Sequence, residues 1–334
     1  MIRAEDTDFH TPPDVGHTWS ETNFFCASIP EERLMITFYT LFRKGIGVML
    51  SDIVVFGAFT NSRAELVYLD SQQHLPACEN LSDYTTANGL TIKALTIRDY
   101  QIDYVGFDNT EAHLKFVGLH EPFDIHDPAH SPRAVADMAG RAATAGQGEA
   151  YAHHFDLTGH ITGTLTVRGT TYRVDCIETM DHSWGRRPEV GLRTLGWMHA
   201  HFGKDLALHW INQFDLERKT DRAHALAHGY VLEDGRITGL SDLDLRVTRQ
   251  GTLPIAIEAS ATDANGRVIT LNGAAQLAAP WTPYTCVLLG VALMRWTLPD
   301  GRVGYGHVQE VYPLDMLTRL RHKYWSDIPS IIAT

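Results

Sequence analysis

Five residue pairs punctuate this chain where an antiparallel strand would reverse: Asn88-Gly89, Arg168-Gly169, Asp234-Gly235, Asn265-Gly266 and Asp300-Gly301. Each lies between runs rich in β-branched and aromatic residues, the pattern of a strand, a tight two-residue turn and a return strand. The runs at 34–42 (LMITFYTLF), 46–59, 66–70, 100–107, 160–167 (HITGTLTV), 171–178 (TYRVDCIE), 192–202, 206–214 and 303–312 all read as strands. Such spacing, with no long helical periodicity between strands, constrains the fold to all-β barrels or sandwiches. The one strongly marked helix is expected over 313–321, with Pro313 at its first position and basic residues at its end.

The texture changes only between His126 and Glu149, a stretch rich in Ala, Gly and Pro. We read it as a connection with one short helix at 132–140. Residues 1–18 then form an N-terminal arm, 19–145 a first β domain ending in the linker 126–149, and 150–334 a second. Barrels of about eight strands can hold a small ligand, and the interface between two such domains is a second natural pocket.

The net charge is −12, with 28 Lys and Arg against 40 Asp and Glu, and no basic run occurs. That balance argues against nucleic-acid or anionic-membrane partners. The four cysteines are scattered without a C-x-x-C, so reduced thiols are expected. No apolar run reaches the ~20 residues of a membrane helix, and the acidic, polar start lacks the pattern of a signal peptide. The expectation is a soluble cytoplasmic protein without an integral membrane segment. Dinucleotide, Walker, G-x-S-x-G and H-E-x-x-H motifs are all lacking. No cofactor or resident metal is therefore expected.

The densest chemistry is Asp181-His182-Ser183-Trp184-Gly185-Arg186. A carboxyl desolvated against an indole gains an elevated pKa and acts as an acid near neutrality. Against that stands a structural corner, with Asp181 in an Asx-turn or paired to Arg186 or Arg187. Trp197, His199 and His201 alternate and share one strand face, with His209 on the next strand. They are candidate pocket lining; a metal set of His199, His201 and His209 is the alternative. Trp19 and Glu21 share a face of an early strand, where the tryptophan plugs a barrel end or borders a site. Glu310 is a candidate second carboxylate, or the partner of an arginine.

The segment from His160 to Arg187 resembles the AttH-like, carotenoid 1,2-hydratase-related lipocalin-like proteins. In that family a hairpin leads into Asp-His-Ser/Asn-Trp-Gly-x-Arg. The early Trp-x-Glu at Trp19 and Glu21, the tryptophan strand at Trp197 and the Gly-x-Gly-x-x-x-Glu ending at Glu310 are similar too. The resemblance implies two tandem lipocalin-like domains and a hydration or cyclisation without a redox cofactor. It implies Asp181 as proton donor; His182 would then orient or recharge it, with Trp184 as a cation-facing wall and Arg186 holding a polar end of the substrate. The combined expectation is a cofactor-independent hydratase, dehydratase, isomerase or cyclase acting on a hydrophobic small molecule of terpenoid, steroid-like or polyketide type. A non-catalytic carrier and a metal enzyme are the alternatives.

Overall fold

The computed structural model describes residues 2–134, 148–216 and 224–323. Eleven strands form one curled antiparallel sheet. They are β1 (Trp19–Ile29), β2 (Leu34–Arg43), β3 (Val48–Phe56), β4 (Tyr68–Pro76), β5 (Asp83–Thr85), β6 (Leu90–Ala94), β7 (Asp99–Val105), β8 (Glu111–Gly118), β9 (Phe123–Asp124), β10 (His153–Val167) and β11 (Thr170–Arg186). Their order is β4-β3-β2-β1-β11-β10-β8-β7-β6-β5, with β9 paired to β10. The remaining eight close into a barrel: β12 (Leu195–His201), β13 (Leu206–Phe214), β14 (His224–Glu233), β15 (Arg236–Gln250), β16 (Leu253–Asp263), β17 (Val268–Trp281), β18 (Val287–Thr297) and β19 (Val303–Pro313). The expected helix is present as α1 (Leu314–Lys323). Its Leu317 packs with Phe214 and Tyr312.

Burial follows the sequence pattern. On β8, Ala112, Leu114 and Phe116 are buried while Glu111, His113 and Lys115 are exposed, so one face meets solvent. On β2 and β3 apolar residues run almost without alternation, and nearly every position is buried. One face of these strands, with Phe38 and Ile53, joins Phe25 of β1 inside the curled sheet. The other, with Tyr39 and Val54, joins Phe24 of β1 and packs against Trp197, Ile211, Trp281 and Leu293 on the outside of the barrel. The barrel's lumen is itself occupied by side chains such as Met198, Trp210 and Trp296, as expected at eight strands.

The division of the chain differs from the sequence expectation. The hairpin β10–β11, placed at the start of the second domain, belongs to the first sheet: β10 pairs with β8 and β11 with β1. The Ala/Gly/Pro-rich stretch is an excursion between two paired strands, and the barrel starts only at Leu195. The helix expected at 132–140 falls mostly outside the described residues. At the 168–169 turn, Arg168 and Gly169 have φ of 49° and 84°, the two positive values that a tight hairpin turn requires. The four cysteines are free thiols. Among the described residues, no helix is long and apolar enough to cross a membrane.

Candidate functional site

A cavity of about 460 Å³ lies between the curled sheet and the barrel. Its apolar wall includes Phe24 from β1, Trp197 from β12 and Trp281 at the end of β17. Phe24 meets Trp197 edge-on at 4.8 Å between ring centres. Its polar wall is drawn mainly from β11 and the segment after it: Asp181, Ser183, Arg186 and Arg187.

The dense motif of the sequence is not a corner. Residues 181–186 continue β11 in extended form, paired to β1 from Phe24↔Asp181 through Trp19↔Arg186. Successive side chains therefore leave on opposite faces. Asp181 and Ser183 face the cavity. His182 and Trp184 face the first sheet's interior, where Trp184 stacks on His10 at 3.7 Å with rings nearly parallel. His182 lies by the same histidine and Glu21, and burial pushes its pKa down to about 3. The strand geometry thus removes His182 as the neighbour of Asp181 and Trp184 as a cavity wall. Trp19 belongs with them: its Nε1 donates to Glu21 Oε1 at 3.1 Å. Glu21 also accepts from the His10 backbone and the Thr11 hydroxyl, tying down the N-terminal arm.

Asp181 is pushed up to about 7, chiefly by burial, with His154 and Arg187 opposing and Asp156 assisting. Among the described residues its carboxyl has no side-chain hydrogen-bond partner. Asp156 stands directly across from it on β10, a register that brings Cβ atoms within about 5 Å. Asp156 is completely buried. One of its oxygens lies 2.9 Å from His154 Nε2, 3.0 Å from His209 Nε2 and 3.6 Å from His228 Nε2. The other accepts from Trp197 Nε1 at 3.3 Å. Burial works against its ionisation, but the imidazoles of His154 and His209 outweigh it and hold the carboxyl well below its usual range. Two facing carboxyl groups are thus pushed in opposite directions, Asp181 toward its protonated form and Asp156 toward its ionised one.

The other expected residues divide. Trp197, His199 and His201 do share a face, but it is the barrel's outer one, pressed on the first sheet. Trp197 reaches the cavity; His199 and His209 do not line it. His199 and His201 turn to Glu178, with Nδ1 atoms 3.7 and 3.6 Å from its Oε2, whereas His209 turns to Asp156. The three do not make one ligand set. Glu310 is not at the site: its carboxylate is gripped by Arg249 at 2.5 and 2.6 Å and accepts from Tyr312. Its neighbours Gln309 and Val311 line the cavity instead. Among the described residues, side-chain atoms able to ligate a metal come within 4.8 Å of one another in three clusters, His10–Glu21–His182, Cys26–Glu178–His199 and His154–Asp156–His228.

Asp156 and His154 carried no sequence signal by themselves, yet both are fully buried. The register did carry one. Counting eleven residues outward on each arm from the Val167–Thr170 pair at the turn reaches Asp156 and Asp181.

The family described as Domain of unknown function (DUF7064) matches residues 3–312, nearly the whole chain. The chain belongs to that family. No curated protein matches it in sequence. Among solved structures, kievitone hydratase from Nectria haematococca is 12% identical at TM-score 0.55, over 93% of each chain. A protein from Nitrosomonas europaea with the provisional name AttH is 10% identical at 0.55, covering 87% of this chain and 91% of that one. CghA is 11% identical at 0.53, over 90% and 89%. At these identities the likeness is one of fold, and this DUF7064 chain shares the architecture that its AttH-like motif implies.

Proposed function

We propose that the protein is an acid–base enzyme of hydratase type, acting on an apolar small molecule held between sheet and barrel, with Asp181 as proton donor. The observation that carries this is the facing pair: a cavity-lining carboxyl whose proton is lost only near pH 7 beside a buried carboxyl held ionised well below that. Environments that push two acids apart in this way assign one as donor. The name of the kievitone hydratase of similar fold supports the same reaction class.

The steps balance with substrate and water alone. The Asp181 proton passes to one alkene carbon, leaving a carbocation and the Asp181 carboxylate. Ring faces of Phe24, Trp197 and Trp281 offer the cation its wall. Water adds to the cation, and the resulting oxonium returns a proton to Asp181. Run backwards, the same residues dehydrate; without water capture they shift a double bond or close a ring. Terpenoid, steroid-like and polyketide alkenes suit a cavity of about 460 Å³.

The test incubates a panel of such alkenes with the protein in water labelled with heavy oxygen, read by mass spectrometry. Labelled alcohol should form, and Asp181→Asn should lower its rate about 100-fold or more with the circular dichroism unchanged. A fully active variant removes Asp181 as the acid. Saturable binding with no turnover across the panel makes the protein a carrier.

A further inference from the structure

Arg187 and Arg249 both have most of their surface withdrawn from water, and they are provided for differently. Arg249 meets the carboxylate of Glu310 through two hydrogen bonds. Arg187 is 8% exposed and lines the cavity, yet its partners are neutral. Nε donates to the Ala150 carbonyl at 3.1 Å, Nη1 to Thr22 Oγ1 at 3.4 Å and Nη2 to Ser183 Oγ at 2.5 Å. The guanidinium lies over the Tyr151 ring, 5.0 Å from its centre. Among the described residues no carboxylate lies within ion-pair distance of it. The acid that shares its cavity is Asp181, and burial pushes that group toward its protonated form, up to about 7.

A buried charge without a counter-charge is costly. Here the missing charge has a place to come from, because the guanidinium borders a space large enough for a ligand. Of its five N–H donors, the three partners above use three. The two left, one on each terminal nitrogen, match the paired oxygens of a carboxylate. Leu192, Leu195, Leu289 and Trp281 also line the cavity and give it apolar surface.

We infer that the cavity selects an apolar molecule bearing a carboxylate, and that Arg187 receives that group. This rests on reading the cavity as the substrate site, and it narrows the substrate class. The arrangement also serves the proposed reaction: a bound carboxylate offsets the Arg187 charge, which would otherwise oppose a carbocation beside it and draw the proton off Asp181.

The test compares decanoate with decanol, equal in chain length and different in charge, by displacement of a fluorescent apolar probe from the full-length protein. The wild type should bind decanoate about tenfold or more tightly than decanol, and rising salt should weaken decanoate alone. Arg187→Gln should erase the preference while leaving decanol affinity within about twofold. Arg187→Lys, which keeps the charge and loses the paired donors, should retain only part of it. Equal binding of acid and alcohol by the wild type overturns the inference, as does a preference that survives Arg187→Gln. Asp181→Asn should keep the preference. A turnover result that removes Asp181 as the acid therefore leaves the carboxylate site standing, and loss of the preference leaves the proton donor standing.

Discussion

Asp156 and Asp181 have the same side chain and face each other across two strands, yet one is held as a carboxylate and the other as an acid. The difference lies in what surrounds each oxygen. Asp156 has His154 and His209 within about hydrogen-bonding distance; Asp181 has burial and a negative neighbour. If Asp181 is the donor, turnover should be flat at acid pH and fall as pH rises through about 7, where the proton is lost. A rate that climbs through that range would identify a base instead. The same elevated pKa sets a stability trend. Relative to an unfolded carboxyl near 3.8, the folded form favours the proton, so this contribution is complete below about pH 4 and is lost as pH rises through about 7. Thermal melts of wild type and Asp181→Asn should therefore diverge in favour of the variant between about pH 4 and 7, and stay parallel above. Asp181 itself was legible in the sequence, from the density of its motif. Arg187 was visible only as a salt-bridge candidate, because its want of a carboxylate is a fact of the folded cavity.

From 181 to 184, strand β11 sorts its residues by parity. Odd positions 181 and 183 serve the cavity, while even positions 182 and 184 serve the interior of the curled sheet. Trp184→Leu should lower the melting temperature by several degrees and leave ligand affinity within about twofold. Trp197→Leu, on the cavity side, should weaken ligand binding. Equal effects of the two on affinity would mean that the faces are not separate. The turn pairs made the strands and the hairpin readable. The straightness of residues 181–186 was not, since it comes from pairing with β1, which lies far earlier in the chain. A glycine two residues after a serine and four after an aspartate looks locally like a bend; a long-range partner overrides it.

At the scale of the molecule, sheet and barrel share a core. Phe24, Tyr39 and Phe56 from one side are packed with Trp197, Leu277 and Trp281 from the other. The nearly unbroken apolar runs of β2 and β3 announced this two-sided burial. Where the units divide was hidden, because the first sheet is completed by strands from beyond the 126–149 stretch. With so much apolar surface in common, unfolding should be one cooperative event: far- and near-ultraviolet circular dichroism should give coincident denaturant transitions. Two resolved transitions would show that the units stand alone. The position of the cavity has a consequence for how such proteins diversify. A pocket inside a barrel competes with the packing of that barrel, so a smaller residue at Trp210 would leave a hole where Trp296 now makes contact. A pocket between two filled bodies is under no such constraint. Leu192 and Gln309 line it and are only partly buried, so trimming or enlarging them reshapes the space for a new molecule while both interiors stay intact.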